Sequence, residues 1–291
     1  MRSEVITDPV HVIGATGRSG MTLCRSLLAD GIPVVPVVRN PAKWQAAGLL
    51  GEIRRADLRD PAMLRDALAG ATRVVSCAHA RHAAAILAVA PENAMLALLG
   101  STRKFTHWPD AHGNGVLAGE AAWLASGRSG VMLHPTMIYG ARGENNVQRL
   151  ATLLRRLPVM PLPGGGRFLV QPIHQFDVTR CIRAALARRW DGPSSLVIAG
   201  PEPIRYADFV RAVAVAAGLR KPLLLPFPVG PLILAARLTQ RVTSRPPVRP
   251  EEIRRLLEDK AFDIAPMRML LGVDPVALTK GLALTFTSHQ N

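Results

Sequence analysis

The sequence predicts an α/β fold built around a doubly wound parallel sheet, with a small C-terminal α/β lobe. The chain has 291 residues, 48% of them hydrophobic, which is enough for one large core. Short apolar runs alternate with helix-like segments over the first hundred residues, as in a sheet covered by helices. A glycine-rich segment follows the first apolar run directly, where a strand would turn into a helix.

Six segments in the first half of the chain are predicted strands. The run from Ile32 to Val38 is apolar throughout, which indicates a strand buried on both faces. The predicted strands are His11–Ile13, Ile32–Val38, Glu52–Arg55, Arg73–Cys77, Met95–Leu99 and Val131–Leu133. Helices are predicted between them over Ser19–Ala29, Pro61–Leu68, Arg81–Ala88 and Gly119–Ser126.

The regular alternation of predicted strands and helices ends after Tyr139. Residues 1–140 are predicted to form the sheet domain, and residues 141–291 a smaller lobe interleaved with it as one structural unit. Prolines and glycines predict a loop over residues 158–167. The other predicted elements are helices Asn145–Leu157, Gln175–Arg189, Tyr206–Ala217 and Glu251–Asp259, strand Ser194–Ile198 and the extended run Thr243–Pro250.

The charge balance is strongly basic. Lysine and arginine number 36 against 21 acidic residues, a net charge of +15. This charge permits binding to phosphate, nucleic acid or an anionic membrane, although it bears on association rather than on fold. We interpret it mainly as arginine spread over solvated faces. Aromatic residues make up only 4% of the chain and no nucleic-acid-binding module is recognised, so nucleic acid is not an expected partner.

Cysteine usage and the apolar stretches indicate a reducing compartment. Cys24, Cys77 and Cys181 lie far apart, so neither a disulfide framework nor a metal site is expected. The first ten residues include acidic side chains where a signal peptide needs an apolar run. The longest apolar stretch, residues 223–236, is interrupted by three prolines and is too short to span a membrane. We therefore expect a cytoplasmic protein.

The segment V-I-G-A-T-G-R-S-G places Gly14, Gly17 and Gly20 between the first strand and the first helix. Glycine is needed where a chain turns tightly and where backbone must approach a pyrophosphate closely. The helix N-terminus then offers unpaired N–H groups to the anion. In this strand–turn–helix context the segment predicts a Rossmann-type dinucleotide site.

Residues after the second and third strands bear on which dinucleotide binds. An acidic residue at the end of the second strand suits the ribose 2′-hydroxyl of NAD, whereas a cation suits the 2′-phosphate of NADP. The residue there is Arg39, which predicts a preference for NADP(H) over NAD(H); a solvated arginine at the strand end is the alternative. In A-D-L-R-D, Asp57 is predicted to accept from the adenine amino group and Leu58 to pack on the ring; a helix cap before Pro61 is the alternative role of Asp57.

With these residues in place, the sequence resembles the extended or atypical short-chain dehydrogenase/reductase superfamily, in its NAD-dependent epimerase/dehydratase branch. The resemblance covers nearly the whole chain. It rests on the glycine segment, A-D-L-R-D, L-L-G-S-T, H-P-T-M-I-Y-G, Q-P-I-H-Q-F-D-V and the ending L-G-V-D-P-V-A-L-T-K-G-L. The segment G-G-G-R-F-L-V-Q-P-I-H is similar to the subgroup of the NADPH-binding accessory subunit of respiratory complex I.

The resemblance implies where the cofactor lies. Around the pyrophosphate it places Gly14, Thr16, Gly17, Arg18 and Gly20, with Arg39 at the adenosine phosphate. Along the ribose and nicotinamide it places Cys77, Ala78, His79, Pro135, Thr136 and Met137. Family members usually carry an arginine before that proline, and here the residue is His134, which we interpret as a strand-end histidine satisfied by backbone.

The superfamily's usual Tyr-x-x-x-Lys pair is absent. The lysine of that pair lowers the pKa of the phenol toward the working range. The chain has two tyrosines, and neither is followed four residues later by a lysine. Alignment with the family places His112 at the tyrosine position and Val116 at the lysine position.

Substitute catalysis rests on four candidates. A histidine can serve as proton donor near neutral pH, so His112 is one candidate, with Ser101 or Thr102 orienting the substrate oxygen. Glu120 is an alternative acid or base. The same segment also fits a loop that has lost its catalytic function. Lys104, without a tyrosine partner, is expected to be a surface charge.

The resemblance also indicates residues of the substrate cleft. Arg142 and Asn146 follow the segment where the family's chain enters that cleft, and they are predicted contacts for a polar substrate. His174 is predicted to touch the cofactor or substrate end of the cleft, with a packing role as the alternative.

Three functions follow from these observations. The first is an NADP(H)-binding oxidoreductase or epimerase-like enzyme that acts on an unidentified polar substrate with non-standard proton chemistry. The second is a non-catalytic NADP(H)-binding redox sensor or assembly factor, which the missing pair favours. The third takes the basic charge and the apolar stretch at residues 223–236 as a peripheral membrane patch, although an apolar helix covering the lobe explains that stretch equally well.

Overall fold

The computed structural model describes residues 6–49, 51–140, 146–157, 159–242 and 250–287. The elements of the first half are β1 Val10–Ile13, α1 Arg18–Ala29, β2 Val34–Val38, α2 Ala42–Gln45, β3 Arg54–Arg55, α3 Pro61–Ala67, β4 Arg73–Ser76, α4 Ala83–Leu87, β5 Met95–Leu99, α5 Ala111–Ala125, β6 Gly130–Pro135 and β7 Ile138–Tyr139. Those of the second half are α6 Asn146–Arg156, β8 Val159–Pro163, β9 Leu169–Val170, β10 Ile173–His174, α7 Gln175–Leu186, β11 Pro193–Ile198, β12 Ile204–Arg205, α8 Tyr206–Ala216, β13 Leu223–Phe227, α9 Val229–Val242, α10 Pro250–Arg254, α11 Ala265–Leu271 and α12 Leu278–Thr287.

The main sheet has seven strands in the order β11-β6-β5-β4-β1-β2-β3, and every neighbouring pair is parallel. The strand order reverses at β1, which pairs with β2 on one side and with β4 on the other. In open α/β sheets a ligand binds outside the carboxyl ends of the strands at such a reversal. The predicted doubly wound α/β fold is confirmed, and its reversal lies directly beside Gly14 and Cys77.

Helices cover both faces of this sheet. On one face, α1 and α7 pack against the strands and against each other, with Leu23 of α1 and Ile182 of α7 buried in one apolar cluster. On the other face, α3, α4 and α5 bury Leu64, Ile86 and Trp123 in a second cluster. Strand β11 and helix α7 come from the second half of the chain, so that half contributes to the main sheet domain as well as to the lobe.

The lobe is built from three two-stranded sheets and the helices packed on them. β7 pairs with β10 and β8 with β13 in parallel, whereas β9 and β12 are antiparallel. Helices α6, α8 and α12 close over them through a third apolar cluster that contains Val147, Phe209 and Leu282.

Helix α5 is longer than the sequence predicted, because it begins at Ala111 and not at Gly119. Asp110 caps it by accepting a hydrogen bond from the Gly113 amide at 2.8 Å. A Cβ at Gly113 would lie 2.9 Å from the Arg103 carbonyl oxygen, and one at Gly119 would lie 2.6 Å from the Ala80 carbonyl carbon. These glycines are therefore close-packing positions within a helix, and the interpretation of the segment as a loop is wrong.

The predicted loop at residues 158–167 is also corrected. Val159–Pro163 forms β8, which pairs with β13, and a short 3₁₀ turn over Gly164–Gly166 follows. Prolines are tolerated in β8 because a two-stranded sheet leaves one edge of each strand unpaired. Strand β13 was not predicted. The helix predicted over Glu251–Asp259 ends at Arg254. Of the extended run Thr243–Pro250, residues 243–249 lie outside the described residues and Pro250 begins α10.

Within the described part of the chain, no helix is both long enough and apolar enough to cross a membrane.

Candidate functional site

The three glycines after β1 form a close-packed backbone turn. Gly14 has φ +74°, a conformation that favours glycine, and the Gly17 amide donates to the Gly14 carbonyl oxygen at 2.8 Å. A Cβ at Gly14 would lie 3.3 Å from the Ala78 amide nitrogen. A Cβ at Gly20 would overlap the Gly14 carbonyl oxygen and lie 2.9 Å from its carbonyl carbon. The spacing therefore serves tight turning at the first glycine and close helix–strand packing at the third.

Helix α1 starts directly from this turn. Gly17 is its N-cap without a side-chain hydrogen bond, and its first turn carries Arg18 and no acidic residue. The first amides of a helix lack partners within the helix and carry a partial positive charge. The N-terminus of α1 thus fits a pyrophosphate. Arg18 adds a further cation there, and the glycine turn leaves room for the anion.

A cleft of about 420 Å³ lies beside this turn, at the carboxyl ends of β1, β2 and β3. Thr16, Arg39 and Leu58, three of the residues predicted to bind the cofactor, line this one cleft. Arg59 also lines it and was missed among the candidates, although it stands within A-D-L-R-D.

Asp57, in the same cleft, is tied to Arg59. The Arg59 guanidinium donates to both carboxylate oxygens, at 3.1 and 2.8 Å, and these bonds hold the pKa of Asp57 well below its usual range. Oδ1 also accepts from the Arg59 amide at 2.9 Å, so it is Oδ2 that keeps a second acceptor site. The cap before Pro61 is instead Asp60, which accepts from the amides of Ala62 and Met63, so the alternative role of Asp57 as helix cap is wrong.

The ends of β4, β5 and β6 meet at the other side of the glycine turn. Cys77, Ala78 and His79 follow β4, and Ser101 and Thr102 follow β5. The Thr102 hydroxyl donates to the Pro135 carbonyl at 3.2 Å, which ties the end of β5 to the end of β6. The next two residues, Thr136 and Met137, line the cavity described below.

A cavity of about 610 Å³ opens at this edge and extends into the lobe. Its polar end contains Ser101, Thr102, His112, Thr136 and Asn146. The hydroxyl of Thr136 is buried and has no hydrogen-bond partner among the described residues. It is therefore available to a bound group, because buried hydroxyls are normally satisfied.

Helix α6 sets the polarity of the cavity along its length. Asn146, Arg149, Leu150, Leu153 and Leu157 all line it, and this spacing corresponds to one helix face continued one residue past α6. Asn146 donates to the Ile138 carbonyl near the sheet edge, whereas the residues toward Leu157 are leucines. Eleven residues span about 16 Å, so the cavity runs that far from a polar mouth to an apolar interior. Met160, Leu162, Phe209, Leu232 and Ala236 complete the apolar part.

His112 lies in the first turn of α5, with Val116 one turn further and buried. Burial and the nearby Arg103 guanidinium lower the pKa of His112, so the imidazole is neutral at pH 7. Its ring meets the His79 ring edge-on at 4.2 Å between centroids. Arg103 in turn donates to Asp110 at 2.7 Å, and this pair anchors the start of the helix.

Glu120 lies away from the cavity lining, in a buried polar cluster. Lys104 donates to it at 2.5 Å, His134 contacts it at 3.1 Å, and the Ser195 hydroxyl also donates to it. Burial raises the pKa of Glu120, but the bonds from Lys104 and Ser195 outweigh burial and lower it overall. The cluster joins α5, β6, β11 and the turn after β5.

This cluster changes the roles that the sequence predicted for Lys104 and His134. Lys104 is not a surface charge, since its side chain is only 10% exposed. His134 accepts from the Ser101 amide at 3.2 Å, as the backbone interpretation predicted, but its other ring nitrogen contacts Glu120 and Ser195. Burial and Lys104 lower the pKa of His134 to about 4, so its contact with Glu120 is a hydrogen bond of a neutral ring.

The candidate substrate residues are separated. Asn146 lines the cavity, whereas Arg142 lies outside the described residues. His174 is buried between the rings of Tyr139 and Phe176, at 5.2 and 5.1 Å, and is not among the cavity-lining residues. This placement favours its packing role.

Cavity-lining residues from the end of the lobe were missed by sequence reasoning. Glu258 accepts from the Thr106 hydroxyl at 2.8 Å and the His107 amide at 2.9 Å, which ties the lobe to the turn after β5. Arg255 and Lys260 lie beside it on the cavity lining. No local pattern could have found them, because more than 150 residues of chain separate Glu258 from Thr106.

Comparison with known proteins agrees with this geometry. Residues 14–105 match the family model described as NAD(P)H-binding. Uncharacterized proteins of Mycobacterium bovis and Mycobacterium tuberculosis are 29% identical over 238 residues, which are 81% of this chain and 25% of theirs. The chain thus spans about a quarter of the length of the curated relatives it matches.

Solved structures share the fold over nearly the whole chain. The NADPH-dependent quinone oxidoreductase QOR2 of Escherichia coli, complexed with NADPH, is 19% identical with a TM-score of 0.74, covering 97% of this chain and 100% of that one. The UDP-glucuronic acid 4-epimerase of Bacillus cereus, in complex with UDP-glucuronic acid and NAD, is 16% identical with a TM-score of 0.72, covering 98% and 100%. Residues 14–105 therefore match an NAD(P)H-binding family, and the chain as a whole shares its fold with these solved structures.

Proposed function

We propose that this chain is an NADP(H)-dependent oxidoreductase that acts on the carbonyl or hydroxyl carbon of a substrate with a large apolar part. The observation that carries the proposal is the cavity of about 610 Å³, whose polar end lies where β5 and β6 end and whose surface is otherwise mostly apolar. Pockets of 300–1,000 Å³ with a few convergent polar groups are typical of small-molecule sites.

The cofactor preference rests on the cleft beside β2 and β3. Arg39 and Arg59 line it together with a single carboxylate, Asp57, so the described lining carries a net positive charge. Such a cleft suits the 2′-phosphate of NADP. Gly14, Gly17 and the first amides of α1 would hold the pyrophosphate.

The bound nicotinamide would supply the hydride chemistry. The chain's own residues would position the substrate oxygen and move its proton. The hydroxyls of Ser101 and Thr102 and the ring of His112 share the cavity mouth. A neutral His112 accepts the proton of a substrate hydroxyl during oxidation, and its protonated form returns a proton in the reverse direction.

The apolar interior departs from the polar substrate expected from sequence. Nucleotide sugars, which the similar epimerase structures contain, are polar and anionic, whereas apolar side chains provide most of the surface of this cavity. The similarity to a quinone oxidoreductase supports an apolar carbonyl substrate. A non-catalytic NADP(H)-binding sensor is the second candidate, favoured by Val116 standing where the family has lysine.

The test is NADPH consumption measured with quinones, long-chain aldehydes and ketones, and UDP-sugars. We expect turnover with the apolar carbonyls and none with the UDP-sugars. Leu153→Glu, in the cavity, should raise KM and leave NADPH affinity unchanged, whereas the matched control Leu124→Glu, exposed on α5, should change neither KM nor NADPH affinity. NADPH binding without turnover on the whole panel would favour the sensor, and no NADPH binding would refute both functions.

A further inference from the structure

The sheet formed by β8 and β13 exposes four large apolar side chains on one face. Val159 lies opposite Leu223 in the register, and Leu225 and Phe227 follow at alternate positions on the same side of β13. These four side chains are between 38 and 59% exposed. In contrast, Met160 and Leu162 of β8 and the partly buried Leu224 of β13 pack in the apolar cluster beneath. Water-soluble monomers rarely expose contiguous apolar patches of this kind without an interaction to cover them.

Cations surround one end of this face. Arg155 and Arg156 end α6, two residues before β8 begins, and Arg220 and Lys221 precede β13 with Pro222 between them and the strand. Because β8 and β13 are parallel and Val159 lies opposite Leu223, the two cationic pairs lie at the same end of the sheet. All four side chains are exposed and none forms an ion pair within the described residues.

Helix α9 also exposes apolar and cationic side chains. It follows β13 after the single residue Pro228, and Leu234, Arg237 and Leu238 are exposed on it. Its other side contributes Leu232 and Ala236 to the cavity lining. A helix that is apolar on both sides thus lies between the apolar cavity and the exterior, which is unusual for a helix that faces water.

The partner of this surface must supply negative charge. Residues 150–163 and 218–242 contain no acidic residue. In a symmetric contact with a second copy, the same surface occurs on both sides and offers no complement to these cations. An anionic lipid surface offers both an apolar layer for the leucines and phosphates for the arginines.

We propose that the surface made of β8, β13 and the exposed side of α9 docks on an anionic membrane, with the apolar side chains at the interface and Arg155, Arg156, Arg220 and Lys221 at the headgroups. If the proposed function holds, a membrane-dissolved substrate would then lie next to the helix that walls the cavity. The docking itself requires no turnover.

Vesicle flotation of the full chain tests the docking, with vesicles of phosphatidylcholine alone or mixed with phosphatidylglycerol. We expect binding to the mixed vesicles, weakened by salt, and little binding to phosphatidylcholine alone. Arg220→Glu/Lys221→Glu should weaken binding at least about tenfold, and Leu223→Ser/Leu225→Ser should weaken it as well. Two matched controls should bind as the unaltered chain does: Arg65→Glu/Lys280→Glu, exposed on α3 and α12, and Met269→Ser, exposed on α11.

NADPH affinity is measured on every variant, to show that each is folded and to separate this proposal from the oxidoreductase. Absence of vesicle binding would overturn the docking, and so would binding that neither variant changes. Dimerisation of the unaltered chain that Leu223→Ser/Leu225→Ser abolishes would also overturn it, because a second copy would then cover the face.

Discussion

Replacing Gly20 by alanine probes the contact between α1 and the turn after β1. The added Cβ would overlap the Gly14 carbonyl oxygen and would lie 2.9 Å from the Gly14 carbonyl carbon and 3.0 Å from the Ala15 Cα. All three are backbone atoms, so no side chain can rotate away to make room. The start of α1 must therefore move away from the turn, and with it the amides that we assign to the pyrophosphate.

The magnitude follows from two opposed effects. Forcing an extra carbon into a close-packed site costs about 1–3 kcal/mol, whereas alanine in place of glycine in a helix contributes at most about 1 kcal/mol of stabilisation. Because the overlap is with backbone, we expect the cost to prevail by about 1–2 kcal/mol. At roughly 2–4 °C per kcal/mol for a large domain, Tm falls by several degrees. NADPH affinity should fall at least about tenfold, the equivalent of ~1.4 kcal/mol.

Thermal unfolding and calorimetric titration with NADPH measure both effects. Gly230→Ala is the matched control, since a Cβ there would meet no heavy atom within 4 Å. It should be neutral or slightly stabilising. A Gly20→Ala protein with the Tm and NADPH affinity of the unaltered chain would refute the close-approach argument for the site.

Three further predictions concern charge and protonation. Arg39→Ala should weaken NADPH binding about 10–100-fold, the range for a lost charge-assisted hydrogen bond, and leave NADH binding unchanged; equal losses for both nucleotides in titration would contradict the phosphate assignment. His112→Ala should lower kcat about 10²–10⁴-fold with unchanged NADPH affinity, and carbonyl reduction by the unaltered chain should speed up as pH falls below 7; unchanged steady-state rates would remove His112 from the reaction. Burial lowers the pKa of His79, His134 and His174 from 6.5 to about 4, so between these values the unfolded chain binds more protons than the folded one, and stability should fall as pH decreases through that window. Denaturant unfolding at several pH values measures the slope, and a stability that is flat from pH 6.5 to 4 would show that these rings are not held neutral.

The nucleotide end of the site was predictable because its requirements are local. Gly14, Gly17 and Gly20 fall within seven consecutive residues, and the backbone conformation of Gly14 and the close approach at Gly20 are requirements that spacing after a strand reveals. Arg39 follows β2 directly, so its place at the carboxyl edge depends only on recognising that strand. The main sheet was predictable on the same grounds, since buried parallel strands are continuous apolar runs.

The substrate end was not predictable in this way. Its polar mouth and apolar interior come from residues between Ser101 and Phe262, and the α6 face that runs along it reads as any amphipathic helix. Lys104 is predicted from the sequence to be a surface charge, because Glu120 and Ser195, which form the cluster with it, are distant in sequence. The sequence predicts a helix α5 that is too short, because its glycines are typical of a loop. In the structure, Gly113 and Gly119 are packing positions against the backbone of Arg103 and Ala80.

By itself, then, the sequence determined the parallel α/β sheet and the dinucleotide turn, because backbone conformation and strand burial are written within a dozen neighbouring residues. Only the packed chain shows the polarity of the cavity, the buried cluster around Glu120 and the exposed apolar side chains of β8 and β13. Those features depend on which side chains meet across distant elements, and burial, charge pairing and exposure exist only after the chain has packed.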